Sequence, residues 1–140
     1  MRVLLLHLDG KLPNLALMRL AAYHRHRGDD VTLRRVDNPR MIEPGLFDAA
    51  PDRVYGSLIF ERTRPLGERV RALYPDAILG GTGWDLAGSL EALGVGLDQD
   101  YSIYPAWRQS IGFTQRGCRL RCAFCVVPRK EGPVREEQTI

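Results

Sequence analysis

Three cysteines in one short loop are the residues of this sequence best suited to chemistry. Cys118, Cys122 and Cys125 are the only cysteines in the chain, and they stand in the arrangement Cys-x3-Cys-x2-Cys. Thiolates bind soft metals, so zinc and iron–sulfur clusters are the candidates for this spacing. A structural zinc ion needs four closed ligands, whereas the histidines all lie near the other end of the chain. Three thiolates on one loop therefore favour a cubane cluster that leaves one iron open for chemistry.

Two alternative interpretations of the same loop stay open. In the first, the loop belongs to a non-catalytic zinc-binding or interaction module, and a distant residue supplies the fourth ligand. In the second, Cys122-Ala123-Phe124-Cys125 is a redox-active dithiol. Such pairs usually occupy a helix N-terminus, which lowers the pKa of the thiol. The residues that follow, Val126-Val127-Pro128, are a poor start for a helix, and a third nearby cysteine also fits this hypothesis poorly.

Composition and charge favour a cytoplasmic protein. Hydrophobic residues make up 44% and charged residues 26%, which is ordinary for a globular chain. No apolar run approaches the ~18 residues of a membrane helix, so we expect no membrane partner. The opening MRVLLLHLDG lacks the small-residue cleavage site of a signal peptide. The net charge is +3, but the basic residues are interleaved with seventeen acids, so we expect no nucleic-acid partner.

The elements that must position the loop alternate between apolar strands and helices. The sequence predicts a parallel α/β fold with an open, mostly parallel sheet and helices on both faces. The apolar runs predict strands at residues 3–8, 31–36, 54–60 and 77–79. Pro13-Asn14 predicts a helix start, and helical spacing predicts helices at residues 15–27, 65–73 and 85–93, the second with Leu66, Val70 and Leu73 facing inward.

The composition and periodicity of the sequence change after Gly94. The segment DQDYSIYPAWRQS has turn formers and aromatic residues but little helical periodicity, so we interpret it as a connector. Its Tyr101, Tyr104 and Trp107 are expected to pack against the first domain. Residues 111–114 predict a short strand that leads into the cysteine loop. We therefore expect a Rossmann-like domain at residues 1–105 and the start of a second domain at residues 106–140.

The cysteine loop resembles the signature of the radical S-adenosylmethionine (radical SAM) superfamily. The likeness rests on Cys118-x3-Cys122-x2-Cys125 with Phe124 directly before the last cysteine. The flanking TQRGC and FCVVPRKEG are similar to members that carry an N-terminal cobalamin-binding-type domain. DGKLPNLALMRLAAYHRHRGDDV resembles the first helix of that domain, and AILGGTGWD resembles its Gly-Gly turn. The resemblance covers most of the chain.

The resemblance implies a cofactor set and roles for four residues. The three cysteines would ligate a [4Fe–4S] cluster, and the open iron would chelate the amino and carboxylate groups of S-adenosylmethionine. Phe124 would contact the adenine. The reduced cluster would cleave S-adenosylmethionine to a 5′-deoxyadenosyl radical, with electrons from a donor such as a flavodoxin or ferredoxin. Arginines near the loop would favour the thiolate forms.

The sequence departs from the family's pattern after the loop. In the superfamily the loop follows the first strand of a barrel, and a full (β/α)8 barrel takes about 250 residues. Only fifteen residues follow Cys125. We therefore expect the barrel to be incomplete here, so that this chain alone would be too short for activity and would need a missing C-terminal part or a separate chain. The methylthiotransferase branch is set aside, because its front domain carries further cysteines.

A second departure concerns cobalamin. The base-off cobalamin signature is Asp-x-His-x-x-Gly, and residues 7–10 supply only its His-x-x-Gly part, since Leu5 stands where the aspartate belongs. The carboxylate that would orient the imidazole is therefore absent, and we predict a structural role for His7. Cobalamin bound without a histidine ligand is left as a candidate cofactor, held at Gly80 and Gly81. The competing interpretation of this Gly-rich stretch is a tight strand-to-helix turn.

Overall fold

The computed structural model describes residues 1–45 and 48–137. The chain divides into two compact units, Met1–Arg108 and Gln109–Ile140, and each is described below by itself. No helix among the described residues has the length and apolar character needed to cross a membrane.

The first unit is built on a four-stranded parallel sheet. Its strands are β1 (Arg2–His7), β2 (Asp30–Arg35), β3 (Arg53–Ser57) and β4 (Ile78–Gly80). Their order across the sheet is β2-β1-β3-β4, and every neighbouring pair is parallel. The predicted α/β class with a parallel sheet is confirmed. The apolar runs predicted these strands because a strand covered on both faces needs apolar side chains in succession.

Two helices connect the strands. Helix α1 (Leu15–His26) joins β1 to β2, and helix α2 (Arg64–Leu73) joins β3 to β4. The side-chain oxygen of Asn14 accepts the amide N–H of Leu17 and caps α1, which confirms the predicted helix start. Single 3-10 turns lie at Pro39–Ile42, Glu61–Thr63, Glu91–Leu93 and Tyr101–Ile103.

Alternate residues of the central strands face opposite helices. Leu4, Leu6 and Leu8 share a core cluster with Val70 of α2. On the other face, the hydroxyl of Tyr55 lies 3.0 Å from Nε2 of His24 in α1. Because side chains alternate along a strand, His7 at the end of β1 lies on the α1 face. The core on both faces fixes the register and holds the carboxyl ends of β1 and β3 side by side.

Two predictions about the helices are wrong. Leu73 is 41% exposed rather than inward-facing. The predicted helix at residues 85–93 is reduced to the 3-10 turn Glu91–Leu93. Side chains there bond the local backbone instead: Asp85 accepts the amide N–H of Ala87, and Ser89 accepts that of Ala92. The Ser89 bond has the spacing of a helix cap but leads only into the turn Glu91–Leu93, and Gly88 within the predicted span is a weak helix former.

The second unit is small and is framed by an antiparallel pair. Strand β5 (Gln115–Arg116) pairs with β6 (Arg135–Glu136), and helix α3 (Val127–Lys130) lies between them. The predicted strand at residues 111–114 is wrong, because pairing begins only at Gln115. The position of a strand this short is determined by pairing with its partner strand rather than by its own apolar residues.

Candidate functional site

The cysteine loop is closed at its base by backbone contacts. Gly117 has a φ of 83°, and a Cβ added there would lie 2.1 Å from the carbonyl oxygen of Pro133. The next amide, that of Cys118, donates to the carbonyl of Gly132 at 3.3 Å. Only glycine fits at position 117, since the backbone is left-handed and the returning chain passes too close for a side chain.

The three thiols are free and half-buried. Cys118, Cys122 and Cys125 form no disulfide. The amide N–H of Leu120 points at Sγ of Cys118, 3.4 Å away, and the amide of Cys125 donates to the carbonyl of Cys122 at 3.0 Å. Amide donors to sulfur stabilise the thiolate and tune clusters that thiolates hold. The loop therefore offers soft, accessible donors with local hydrogen bonding.

The described loop does not gather its donors into a finished metal site. Across the described ranges, no three His, Cys, Asp or Glu residues are placed together so as to hold a metal ion. By thiol chemistry and spacing the donor set matches what the sequence predicts for an iron–sulfur cluster, but ligation would require the loop to close around the metal. Metal binding commonly completes such loops, because the binding energy is also folding energy.

Phe124 projects from the same loop. Its side chain is 92% exposed, so its own unit gives it no packing role. A large aromatic side chain exposed to this extent is a candidate contact for a ligand or partner. Its predicted contact with an adenine ring stays a prediction.

Charges around the loop are partly neutralised. The guanidinium of Arg116 lies 2.8 Å from Glu131 and 3.3 Å from Glu137, and Arg135 contacts the same two carboxylates at 3.6 Å and 3.8 Å. These two arginines therefore brace the ends of the hairpin. Arg119, Arg121 and Arg129 are exposed, and the support expected from arginines for the thiolates stays a prediction.

One sequence argument against a dithiol is wrong. Val126-Val127-Pro128 does begin a helix, because Val126 is the N-cap of α3 and Pro128 occupies its first turn. Proline suits the first turn of a helix, where its missing N–H has no intrahelical partner. Cys125 therefore directly precedes a helix, although that helix has only four residues.

A second candidate site lies at the carboxyl edge of the first unit's sheet. The chain runs from β1 to β2 on one side and from β3 to β4 on the other, so the β1–β3 boundary is the switch point where open α/β sheets bind ligands. His7 is only 2% exposed there. Its Nδ1 lies 3.0 Å from the hydroxyl of Tyr104, which also accepts the amide N–H of Asn14 at 3.2 Å. The side-chain amide of Asn14 donates to Ser57 at 2.9 Å.

The sequence interpretation did not single out Asn14, Ser57 and Tyr104 as site residues. Asn14 was noted only as a helix start, and Tyr104 only as a packing aromatic. The signal was incomplete, because the strand predicted at residues 54–60 extends past Ser57, where β3 ends in the structure, whereas Asn14 does begin the helix that follows the neighbouring strand. Polar residues at the carboxyl ends of parallel strands meet at one edge. Tyr104 carried no comparable signal.

His7 is a neutral imidazole near pH 7. Burial, and next the positive charge of Arg35, lower its pKa, while the backbone and carboxylate of Asp9 and the carboxylate of Asp37 oppose them. Burial raises the pKa of Tyr104, so its hydroxyl keeps its proton. The Tyr104 hydroxyl accepts the amide N–H of Asn14 and can donate its own proton to Nδ1 of His7. Nδ1 is then the acceptor nitrogen, so the neutral imidazole carries its proton on Nε2.

Asp9, inside the His-x-x-Gly stretch, has a structural role. Its carboxylate accepts the amide N–H groups of Ile59 and Phe60 at 2.8 Å and 2.9 Å and the hydroxyl of Thr63 at 2.5 Å. It therefore ties the end of β1 to the connection that follows β3. Three donors occupy this carboxylate and orient it toward that connection.

The two glycines singled out at the end of β4 differ in what surrounds them. A Cβ on Gly81, whose φ is 98°, would lie 2.1 Å from the carbonyl oxygen of Leu58. Close backbone packing therefore accounts for Gly81. A Cβ on Gly80 would meet nothing within 4 Å, so packing gives no reason for a glycine there. Gly80 alone keeps the open surface that a cofactor could approach.

Comparisons with protein-family models, with curated protein sequences and with solved structures gave no match to this chain. The functional proposal therefore rests on the residues of the chain itself.

Proposed function

We propose that this protein is a radical SAM enzyme, or part of one, that binds a [4Fe–4S] cluster through Cys118, Cys122 and Cys125. The observation that carries the proposal is the Cys-x3-Cys-x2-Cys spacing on a loop whose closure at Gly117 tolerates no side chain. Three protein thiolates satisfy three irons and leave the fourth for a substrate-like ligand.

The cluster, when bound, supplies one electron for the reductive cleavage of S-adenosylmethionine. The residues of the chain ligate and orient. The amide of Leu120 supports the thiolate of Cys118, and the exposed ring of Phe124 offers a flat face for stacking against an adenine. The ion pairs of Arg116 hold the two ends of the hairpin together, which keeps the loop's ends fixed while its middle closes on the metal.

The proposal also includes a cellular compartment and an electron donor. We place the enzyme in the cytoplasm, where thiols stay reduced, and supply its electrons from a flavodoxin- or ferredoxin-type donor. The substrate is not specified by fold or cofactor.

The test is anaerobic reconstitution of the whole chain with iron and sulfide, followed by metal and sulfide analysis. We expect about four irons and four sulfides per chain and the visible absorption of an iron–sulfur protein. Single Cys→Ala variants of the three positions should each lose most of the iron. The Phe124→Ala variant is the matched control, because it changes the same loop without removing a thiol and should load iron like the wild type.

Two outcomes would overturn the proposal. A colourless protein that holds one zinc per chain, and keeps it against iron, would assign the loop to a structural metal module. Cys→Ala variants that bind as much iron as the wild type would show that the iron is adventitious.

The dithiol is a second candidate function, and one observation favours it. The bond from the amide of Cys125 to the carbonyl of Cys122 places the two residues on a turn that enters α3. A reversible Cys122–Cys125 disulfide with a defined reduction potential, unaffected by Cys118→Ala, would favour this function over the cluster.

Cobalamin remains a candidate cofactor, but His7 does not fit as its metal ligand. Its Nε2 is buried. Because Nδ1 accepts the proton of Tyr104, Nε2 carries the imidazole proton and offers a donor rather than a lone pair. No step is therefore assigned to a histidine-bound cobalt. If cobalamin binds, we expect it at the open surface of Gly80. In a hydroxocobalamin titration, its visible spectrum should then show binding without the spectral change that histidine ligation to cobalt causes.

A further inference from the structure

We propose that the part of the cysteine loop between Cys118 and Cys122 is the docking surface for an acidic electron-donor protein. Its contacts would be Arg119, Leu120 and Arg121, which we call the RLR segment. The inference rests on the proposed function for the identity of the partner, because the proposed reaction requires a one-electron donor. The charge and exposure that carry it are properties of the loop itself.

The net positive charge of the chain lies entirely in its second unit. Residues 1–108 contain fourteen basic and fourteen acidic residues, whereas residues 109–140 contain six basic and three acidic residues. The second unit therefore carries the whole formal charge of +3. Summed charge of one sign steers an oppositely charged partner toward a surface before contact, so an acidic protein is drawn to this unit rather than to the first.

Within the second unit, the unneutralised charge lies on the loop and on α3. Glu131 and Glu137 are already paired with arginines at the base of the hairpin. The side chains of Arg119, Arg121 and Arg129 are exposed, and none of the three guanidinium groups has a hydrogen bond or ion pair with another described residue. These groups are therefore available to carboxylates of a partner.

Leu120 supplies an apolar contact between the two arginines of the RLR segment. Its side chain is 59% exposed, and none of the described residues 109–137 is buried, so the packing of this unit gives Leu120 no place. An apolar group surrounded by charged residues is typical of a protein interaction site. A protein surface can offer an apolar contact to this side chain, whereas a phosphate backbone cannot, so the segment favours an acidic protein over a nucleic acid.

The position of the RLR segment favours an electron donor among acidic proteins. Arg119 and Arg121 are the direct sequence neighbours of Cys118 and Cys122, which are proposed to ligate the cluster. A protein docked on this segment would lie beside the thiolate-bound irons, and electron transfer requires a short distance between the two redox centres. Electron-transfer complexes have small interfaces and depend strongly on charge steering, which suits a surface of this size and charge.

The first test is an NMR titration of the full-length, 15N-labelled chain, before cluster loading, with an oxidised flavodoxin of net negative charge. We expect the amides of Arg119, Leu120 and Arg121 to shift saturably. The affinity should fall about tenfold when sodium chloride is raised from about 0.02 M to about 0.3 M, because salt screens exposed charges. Absence of saturable shifts, or shifts confined to residues 1–108, would overturn the inference.

A charge-matched pair of variants separates the segment from general attraction. Arg119→Gln/Arg121→Gln should weaken flavodoxin binding about fivefold to tenfold at low salt, as expected for the loss of two exposed ion pairs. Arg40→Gln/Arg53→Gln removes the same charge from exposed positions of the first unit and should bind like the wild type. Equal losses in both double variants, or unchanged affinity in the loop variant, would contradict a docking surface at the loop.

Electron transfer to the loaded protein is the second test. Reduction by flavodoxin hydroquinone is compared with photoreduction by a neutral deazaflavin, and both rates are expressed per bound cluster. The ratio of the flavodoxin rate to the deazaflavin rate should fall about fivefold to tenfold in Arg119→Gln/Arg121→Gln at low salt, and an unchanged ratio would count against the inference.

Two further outcomes are distinct. A chain that takes up no iron would remove the proposed function, while the flavodoxin titration of the unloaded chain would still decide the docking surface. A single-stranded oligonucleotide that binds the RLR segment more tightly than flavodoxin does would assign the surface to nucleic acid and overturn the inference.

Discussion

The two units of the chain present their polar and reactive groups in opposite ways. In Met1–Arg108, His7 is 2% exposed and is held by Tyr104, which is held in turn by Asn14. In Gln109–Ile140, Phe124 is 92% exposed and the thiols have few partners of their own. The polar groups of the first site are buried and contact one another, whereas the donors of the second are partly exposed and contact few other residues. The comparison teaches that stability and metal loading should respond to different substitutions.

The largest effect should come from the core of the first unit. Leu6 is fully buried between β2 and β3, and Leu6→Ala should lower the free energy of unfolding by about 2–5 kcal/mol through lost contacts and a cavity. Urea unfolding followed by circular dichroism measures it. Leu120→Ala, in the exposed part of the cysteine loop, should change it by no more than about 0.5 kcal/mol. A comparable loss in both variants would end the distinction between the units.

The next effect concerns the base of the cysteine loop. Gly117→Ala forces a methyl group against the carbonyl of Pro133, whereas Gly132→Ala meets nothing within 4 Å, although both glycines have positive φ values. We expect both to carry a strain of about 1–3 kcal/mol, and only Gly117→Ala to lose most of the iron taken up on reconstitution. Neither should alter the unfolding of the first unit. Equal iron loss would mean that backbone strain, rather than loop closure, controls loading.

The glycines after β4 sharpen the comparison inside the first unit. Gly81→Ala should lower the free energy of unfolding of the first unit by about 1–3 kcal/mol or more. The backbone of Gly81 is left-handed, and a Cβ there would clash with the carbonyl oxygen of Leu58. Gly80→Ala meets open space and should leave the unfolding midpoint nearly unchanged. Thermal unfolding measures both. A destabilised Gly80→Ala would show that packing accounts for this glycine too, and would remove it as a cofactor contact.

Removing one hydroxyl tests the buried cluster. Tyr104→Phe leaves the amide of Asn14 and Nδ1 of His7 without their shared partner, and should lower the free energy of unfolding by about 1–3 kcal/mol. Tyr23→Phe, whose hydroxyl has a 3.4 Å contact with exposed Arg27, is the control and should cost less than about 0.5 kcal/mol. A Tyr104→Phe variant with an unchanged free energy of unfolding would mean that water replaces the hydroxyl and that the hydrogen bonds of Tyr104 do not stabilise the fold.

The smallest effect is a pH dependence in the first unit. The hydrogen bond from His24, 2.7 Å away, and then the amino-terminal ammonium lower the pKa of Asp29 below its ordinary 3.8. Its contribution to stability is therefore present above about pH 4 and is lost as the pH falls through the depressed pKa. Unfolding measured from pH 6 down to pH 2 should show a shallower decline for Asp29→Asn than for wild type. Exposed Asp98→Asn should follow the wild type, and a decline in Asp29→Asn as steep as the wild type's would contradict the assignment.

Local signals predicted the part of the fold that depends on them. The continuous apolar run of β1 predicted a strand buried on both faces, and Asn14 predicted the start of α1, because each property is contained in a few adjacent residues. The failed helix at residues 85–93 shows the limit. Most of its residues are helix formers, but Gly88 interrupts them and only the turn Glu91–Leu93 forms.

The sites depend on contacts that no short window contains. Tyr104 contacts His7 across 97 positions of sequence; the sequence predicted that Tyr104 packs against the first domain but not that His7 is its partner. For the cysteine loop the sequence specifies the donor types and their spacing, but within the described ranges no three donors are placed to hold a metal, so cluster binding stays a prediction.

Mössbauer spectroscopy of the 57Fe-reconstituted protein separates a cluster with three thiolate-bound irons and one open iron from other bound iron. We expect a [4Fe–4S] spectrum in which three irons are alike and the fourth is distinct, in a ratio of about three to one. Addition of S-adenosylmethionine should change only the distinct iron. Four equivalent irons, a two-iron spectrum, or a wild-type spectrum reproduced by the Cys118→Ala variant would contradict the claim.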